Sequence, residues 1–258
     1  MPVLFLGHGS PMNVIEDNLY TKSWNLLGNS LPKPRALLLI SAHWETHGTY
    51  VTAMEEPPTI HDFGAFPQAL FDVQYPAQGD PELARRIQSL VSTTRICLDY
   101  NWGLDHGSWG LLTRMFPDAN IPVLQLSLNR DLSPQAHYQI GQELKSLRDE
   151  GVLVIGSGNI VHNLKHFSFN ADDAPLEWAV EFDETIKQFL LKGDHQSILE
   201  FESLGEIARL AAPTPEHFIP LIYIIAMQEQ GERITFPVEG IASQSASMRG
   251  VLVGCPSV

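Results

Sequence analysis

The 258-residue chain has little positive charge. Its 16 Lys and Arg stand against 30 Asp and Glu, which gives a formal net charge of −14 at neutral pH. No basic tract offsets this excess locally, so the chain would repel the phosphates of nucleic acid and the anionic surface of a membrane. We therefore expect neither nucleic acid nor a membrane as a partner.

Long apolar runs are also lacking. The longest, from Phe218 to Met227, spans ten residues and contains Pro220, whereas a membrane-spanning helix needs about 20 residues. The apolar run at the start of the sequence is too short for the core of a signal peptide, and no Lys or Arg precedes it. We expect no export and no membrane insertion.

Cysteines are scarce, and several common catalytic motifs are missing. Cys97 and Cys255 are far apart and show no Cys-x-x-Cys spacing, which argues against a disulfide framework and against a thiolate zinc site. A reducing cytoplasm fits this pattern best. The sequence also has no Gly-x-Ser-x-Gly elbow, no phosphate-binding loop and no His-Glu-x-x-His motif.

Short apolar runs that end at Gly or Ser predict buried strands. The runs are Val3–Leu6, Ala36–Ile40, Val123–Leu128 and Val152–Ile155, with a late strand near Gly250–Val253. Their hydrophobicity is continuous rather than alternating, which is typical of parallel strands covered by helices on both faces.

Helical patterns lie between these strands. They cover Glu82–Val91, Pro134–Leu147, Leu176–Leu191 and His217–Glu229. The first two follow Asp80-Pro81 and Ser133-Pro134, each a capping residue with Pro at the first helical position. We predict a single α/β domain over residues 1–258, with a mostly parallel central sheet flanked by helices.

Histidines follow the predicted strands repeatedly. His8 comes directly after the first strand, His43 directly after the second, and His162 after Val152–Ile155. Ligands of a parallel sheet bind beyond the carboxyl ends of its strands, so these side chains should share one crevice. A lone histidine is more often structural, but three at strand ends favour a metal site, because imidazole suits iron, zinc and copper.

Other histidines divide into two groups. His106 and His217 lie in motifs suggestive of a site, and His217 is predicted to open a helix. The remaining five are expected to be structural or solvated, although His61 belongs to an aromatic loop: His47, His61, His137, His166 and His195. That loop, residues 55–80, is long enough to act as a functional lid. Its aromatic side chains could wall a pocket for a planar ring or simply pack together: Phe63, Phe66, Phe71 and Tyr75.

Five motifs in chain order resemble the 4,5-DOPA extradiol dioxygenases, a branch of the class III extradiol ring-cleavage enzymes. They are Gly7-His8-Gly9-Ser10-Pro11, Ser41-Ala42-His43-Trp44, Asp105-His106-Gly107-Ser108-Trp109-Gly110, Gly156-Ser157-Gly158-Asn159-Ile160-Val161-His162-Asn163-Leu164 and Pro213-Thr214-Pro215-Glu216-His217. Each motif alone is weak, but five in order across almost the whole chain are specific. The resemblance implies a catalytic domain over residues 1–258 that inserts O₂ into a catechol such as L-DOPA by 4,5-cleavage.

The resemblance also implies roles for individual residues. His8, His43 and His217 would hold one divalent metal, Fe(II) for activity and Zn(II) as isolated. His162 would be the acid/base residue, with an ordinary pKa of about 6.5, and could close on the metal as a fourth ligand. His106 would hydrogen-bond the substrate or dioxygen, with Asp105 orienting it.

One position departs from the better-known class III enzymes, which use two histidines and a carboxylate. His217 stands where a glutamate is expected, and Glu216 is adjacent. Neighbouring helical residues point about 100° apart, so only one of them could face the metal, and we favour His217.

Two other functions remain open from the sequence. The same histidines could serve a zinc hydrolase, with Glu45 or Glu216 as the base. The chain could also be a non-catalytic, Memo-like metal-binding and interaction protein. The sequence demands nothing larger than a monomer or a small homo-oligomer.

Overall fold

A computed structural model describes residues 1–168, 170 and 173–254. Cys255 lies outside the described residues. The strands are β1 Val3–Gly7, β2 Ala36–Thr46, β3 Thr49–Thr52, β4 Ile96–Asp99, β5 Val123–Asn129, β6 Val152–Gly158, β7 Ile234–Thr235, β8 Ile241–Ala242, β9 Ala246–Ser247 and β10 Gly250–Val253. The helices are α1 Leu19–Ser30, α2 Gln68–Phe71, α3 Pro81–Leu90, α4 His106–Met115, α5 Pro134–Leu144, α6 Glu177–Lys192, α7 His195–Leu199, α8 Glu206–Ala211 and α9 Ile219–Ala226. Short 3₁₀ helices cover Pro11–Val14, Lys145–Arg148, Leu164–His166 and Phe201–Leu204.

The central sheet has the strand order β4-β3-β5-β2-β6-β1-β10-β7. Its middle strands β5, β2, β6 and β1 pair in parallel, whereas β10 pairs antiparallel with β1 and with β7. The carboxyl ends of β1, β2 and β6 therefore lie side by side at one edge. The predicted single α/β domain with a mostly parallel sheet is confirmed.

Both faces of the sheet are buried, which explains the continuous apolar runs. Val3 and Phe5 of β1 belong to one core cluster, packed under α5, α6 and α9. Leu4 and Leu6 belong to a second cluster, packed under α1, α4 and the 55–80 loop. Successive residues of a strand point to opposite faces, so a strand covered on both sides needs apolar residues at every position.

Some predicted boundaries were wrong. β2 continues through His43 to Thr46, past a register shift between Ile40 and Glu45, so His43 lies within the strand rather than after it. β3 and β4 were not predicted, because they are four-residue strands near one side of the sheet without a long apolar run. The 55–80 loop contains one short helix, α2.

The helices agree better with their predicted positions. Asp80 and Ser133 cap α3 and α5, with side chains that accept hydrogen bonds from backbone N–H groups of the first turn. The pattern after Leu144 continues as a 3₁₀ turn. The helix expected from His217 begins only at Ile219, the residue before Pro220. Within the described residues, no helix combines the length and the apolar character needed to cross a membrane.

Candidate active site

Three histidines converge at the carboxyl edge of the central strands. His8 follows β1 directly, and His43 lies near the end of β2. His217 is brought there from a distant part of the chain, because its carbonyl oxygen accepts a 2.9 Å hydrogen bond from the backbone N–H of Asn159, just after β6. Gly158 permits this approach, since a Cβ at its position would lie 2.1 Å from the same oxygen.

One nitrogen of His8 and one of His217 are engaged by neighbouring side chains. The Ser157 hydroxyl donates to the carbonyl of Gly107, so it can only accept from Nδ1 of His8, at 2.9 Å. Nδ1 of His217 donates to the Glu216 carboxylate at 3.1 Å. Both rings therefore carry their proton on Nδ1 and present the lone pair of Nε2 to the cavity.

His43 completes the group, but without a cation either tautomer of its neutral ring makes one unfavourable contact. Its Nε2 lies 3.1 Å from Nε2 of His8, and its Nδ1 lies 3.5 Å from the carboxylate of Asp62. If the proton of His43 is on its Nδ1, the Nε2 lone pairs of His43 and His8 face each other. If the proton is on Nε2, the Nδ1 lone pair of His43 faces the Asp62 carboxylate. A cation between the Nε2 atoms removes both conflicts.

The three histidines fit a metal ion by their donor atoms as well. Ligand atoms of His8, His43 and His217 lie within 4.8 Å of one another. Among the described residues, the buried Nε2 of His217 has no hydrogen-bond partner, which fits an atom that binds a metal. Two nitrogens that each lie about 2.1 Å from one ion are about 3 Å apart at right angles, close to the observed His8–His43 separation.

Burial keeps these imidazoles neutral. It lowers the pKa of His8 and of His217 well below the ordinary value, and the surrounding histidines lower it further. Burial and His106 lower the pKa of His43 to about 3, although Asp62 opposes the shift. A metal ligand must be unprotonated, so the ligand atoms are available at neutral pH.

His162 lies beside this group rather than within it. Its ring stacks on that of His217, with centroids 3.5 Å apart and planes 13° apart. Its ligand atoms group with those of Glu216 and His217, not with those of His8 and His43. Burial lowers the pKa of His162 to about 4, with Glu216 opposing, so the ordinary value expected from the sequence was wrong.

Glu216 and His217 both line the cavity. The argument that only one of them faces the metal rested on a wrong premise. That argument assumed a helix, whereas both residues precede α9 in a turn. In the turn the carboxylate reaches the neighbouring ring and orients it. His217 thus keeps its place in the metal-ligating group, with Glu216 as its support.

The sequence predicted that Asp105 orients His106. In the structure Asp62 orients it instead. Asp62 accepts from Nδ1 of His106 at 3.0 Å and from its backbone N–H at 2.8 Å. Asp105 instead caps α4 and accepts from the hydroxyl of Ser41. Burial raises the pKa of Asp62, but the bonds from His106 outweigh it and hold the pKa below the ordinary value.

The model of one protein family, described as the catalytic LigB subunit of aromatic ring-opening dioxygenase, matches residues 3–247. The chain belongs to this family. The resemblance drawn from the five motifs is confirmed, and so is the enzyme class, an extradiol ring-opening dioxygenase.

Individual relatives agree over nearly the full length. The chain is 50% identical to a 4,5-DOPA dioxygenase extradiol of Escherichia coli K12, over 98% of this chain and 95% of that one. It is 41% identical to a 4,5-DOPA dioxygenase extradiol of Beta vulgaris, over 88% and 86% of the two chains. The crystal structure of an uncharacterized protein from Escherichia coli K12 superposes with a TM-score of 0.86 at 44% identity, covering 98% of this chain and 100% of that one.

A cavity of about 540 Å³ lies above the histidines of the dioxygenase. Phe63 and Phe66 of the 55–80 loop line it, as the aromatic character of the loop suggested. The loop's other aromatic residues do not: Phe71 packs against Phe63, and Tyr75 is buried with its hydroxyl on the carbonyl of Phe116. The loop therefore supplies one wall of the pocket and anchors itself with its remaining rings.

The five histidines expected to be structural or solvated lie outside the cavity wall of the dioxygenase. Their partners are elsewhere: Asp131 for His47, Val73 for His61, Tyr223 for His137, Trp178 for His166, and Tyr138 with Gln228 for His195. Sequence reasoning missed two contributors, Asp62 and Ser157. Ser157 lies inside a quoted motif, whereas Asp62 had no signal beyond its place in the aromatic loop.

Proposed function

We propose that this dioxygenase opens the ring of a catechol such as L-DOPA by 4,5-cleavage at a mononuclear metal held by His8, His43 and His217. The observation that carries the proposal is the grouping of ligand atoms of these histidines, within 4.8 Å of one another, in the wall of a largely apolar cavity. Bound Fe(II) would supply the redox centre without which a catechol and dioxygen react poorly. Three neutral ligands leave that centre's full positive charge available to hold an anionic catecholate.

His162 is the proposed acid/base residue. It lines the same cavity as the three ligands, and it is neutral at neutral pH because burial lowers its pKa to about 4. A neutral imidazole can take the proton of a catechol hydroxyl and return it to an oxygen of the opened product. Its closure on the metal as a fourth ligand stays a prediction.

His106 is proposed to hold an oxygen of the substrate or of dioxygen. It lines the cavity, and the hydrogen bond from its Nδ1 to Asp62 leaves the lone pair of its Nε2 to accept from a substrate hydroxyl. Phe63 lies against the His106 ring, with centroids 5.5 Å apart. These contacts support a fixed ring orientation, which a positioning role requires.

The test begins with protein stripped of metal and reloaded anaerobically with Fe(II) or Zn(II). After addition of L-DOPA and air, oxygen uptake and yellow product should appear with iron alone. Activity with zinc on hydrolysable substrates and none with oxygen would instead favour a zinc hydrolase on the same ligands. Failure of every iron-loaded catechol assay would refute ring opening.

Two variants separate the proposed roles. His162→Ala should retain iron but lose turnover by about 100-fold or more, the usual contribution of a general acid or base. His43→Ala should lose the iron itself. The surface variant His47→Ala, whose side chain is 75% exposed, controls for the loss of a histidine. Full turnover by His162→Ala would contradict its assignment.

A further inference from the structure

The cavity wall of the dioxygenase has no positively charged side chain from Lys or Arg among the described residues. The residues outside the described ranges, 169, 171–172 and 255–258, also include neither. Apart from its histidines, the wall has a single ionisable residue, Glu216. A substrate carboxylate that entered this cavity would meet no cationic side chain.

Glu216 is held in the wall by hydrogen bonds that it accepts. Its Oε1 accepts hydrogen bonds from the Thr214 hydroxyl and from Nδ1 of His217, and its side chain is 18% exposed. In the described part of the chain, no Lys or Arg forms an ion pair with it. Apart from the metal ion proposed at the histidines, no cation among the described residues therefore pairs with the Glu216 carboxylate.

A second cavity extends the first away from the metal centre. The two share four wall residues: Ser10, Phe66, Phe167 and Ala246. Glu16 and Asp173 contribute two further carboxylates to the second cavity, and within the described ranges its wall includes no Lys or Arg. If a ring is held at the histidines, its side chain would extend toward the second cavity. The charged residues in that wall, Glu16 and Asp173, are both negative.

Two cationic side chains from segments that border the cavities are engaged elsewhere or exposed. The guanidinium of Arg114 donates to Asp17 and to the backbone carbonyls of Asn13 and Glu16. Lys165 follows Leu164, which lines the cavity, but Lys165 itself is exposed and does not contribute to the wall.

We propose, on the basis of the ring-opening function above, that the preferred substrates are catechols with a cationic side chain, that is catechol amines, and that a side-chain carboxylate is disfavoured. The wall chemistry and the chain's net charge of −14 act in the same direction. The amino group of L-DOPA is compatible with this pocket, whereas its carboxylate is the part that reduces affinity.

The test compares four catechols that differ in the charge of the side chain: dopamine, methylcatechol, L-DOPA and dihydroxyphenylpropionate. Affinities are measured anaerobically by calorimetry on the iron-loaded protein, and kcat/KM is measured by oxygen uptake. Dopamine should bind better than dihydroxyphenylpropionate by about tenfold, since their side chains carry opposite charges beside wall carboxylates in a half-enclosed cavity. The ratio should shrink at high salt, because salt screens these charges.

The outcomes separate this inference from the proposed function. Equal or tighter binding of dihydroxyphenylpropionate would overturn the substrate preference even if the ring is opened. The expected binding order with no turnover of any catechol would retain the preference and refute the ring-opening function.

A charge-introducing variant tests the wall directly. Leu164 lines the cavity and is 66% exposed, so it can accept a long side chain without repacking. Leu164→Arg should reverse the preference between dopamine and dihydroxyphenylpropionate, whereas Leu164→Gln should not. Lys165→Gln should leave both affinities unchanged, and a selective loss of dihydroxyphenylpropionate binding in that variant would reveal a cationic contact and contradict the proposal.

Discussion

The most informative single substitution is Asp62→Asn, because Asp62 links the 55–80 loop to two histidines of the site. Its two carboxylate oxygens accept from the side chain and the backbone of His106, and one also lies 3.5 Å from Nδ1 of His43. An asparagine has one acceptor oxygen, so one N–H of His106 would lose its partner and face an amide N–H instead.

The structure sets the size of the effect. Hydrogen bonds to a charged group contribute about 1.5–3 kcal/mol, and residues that support metal-site histidines typically change activity about 10–100-fold when replaced. We therefore expect kcat/KM for L-DOPA to fall by about 10–100-fold. Iron content should change little, because the contact of Asp62 with His43 is long.

The assay combines oxygen uptake, metal analysis and thermal unfolding of the iron-loaded variants. Asp72→Asn is the matched control, since it makes the same change on an exposed residue of the same loop, whose side chain accepts a hydrogen bond from Gln68. Wild-type kcat/KM in Asp62→Asn, or an equal loss in Asp72→Asn, would refute the positioning role of Asp62.

Two predictions concern other parts of the molecule. Burial lowers the pKa of His137 to about 4 from an ordinary 6.5; the unfolded chain then binds more protons between these values, so stability is complete above about pH 6.5 and falls toward pH 4. In urea unfolding, the free energy of unfolding of His137→Gln should fall less on acidification than that of wild type, by up to about 3 kcal/mol. An equal pH dependence of the two proteins would contradict this. Gly158→Ala should force a Cβ against the carbonyl of His217, which should lower the free energy of unfolding by about 1–3 kcal/mol and release iron. At Gly64 a Cβ meets nothing within 4 Å, so Gly64→Ala should change neither the stability nor the iron content. Unfolding and metal assays on the two variants check this.

The layout of the fold was predictable because local patterns reported it directly. The apolar runs of β1 and β6 identified buried parallel strands, and Asp80 and Ser133 marked helix starts that the structure confirms. The short strands β3 and β4 were missed for the opposite reason. Each is four residues long and its partly exposed residues break the apolar run, so pairing with a neighbour, rather than local hydrophobicity, defines it.

The sequence predicted the candidate site only for residues that lie at or near the ends of predicted strands. The convergence of His8 and His43 follows from parallel topology, which brings the ends of successive strands together. Their supporting contacts instead join distant segments: Ser157 reaches His8 across 149 positions, and Asp62 reaches His106 across 44. No local sequence pattern encodes such contacts, which is why Asp105, adjacent in sequence, was expected to orient His106.

The same reasoning explains why the substrate side of the pocket could not be read from the sequence. The loop with Phe63 and Phe66, the segment with Leu164 and Phe167, and the turn with Glu216 come from separate regions, and only their packing makes them one wall. The sequence offers many Arg and Lys residues as candidates for binding the substrate. None of those that the structure describes lines the cavity above the histidines. The chemistry of the ring end is thus set by motifs at strand ends, and the preference for its side chain is set by loops. If the wall determines that preference, relatives with the same histidines but different loops should prefer catechols of different charge.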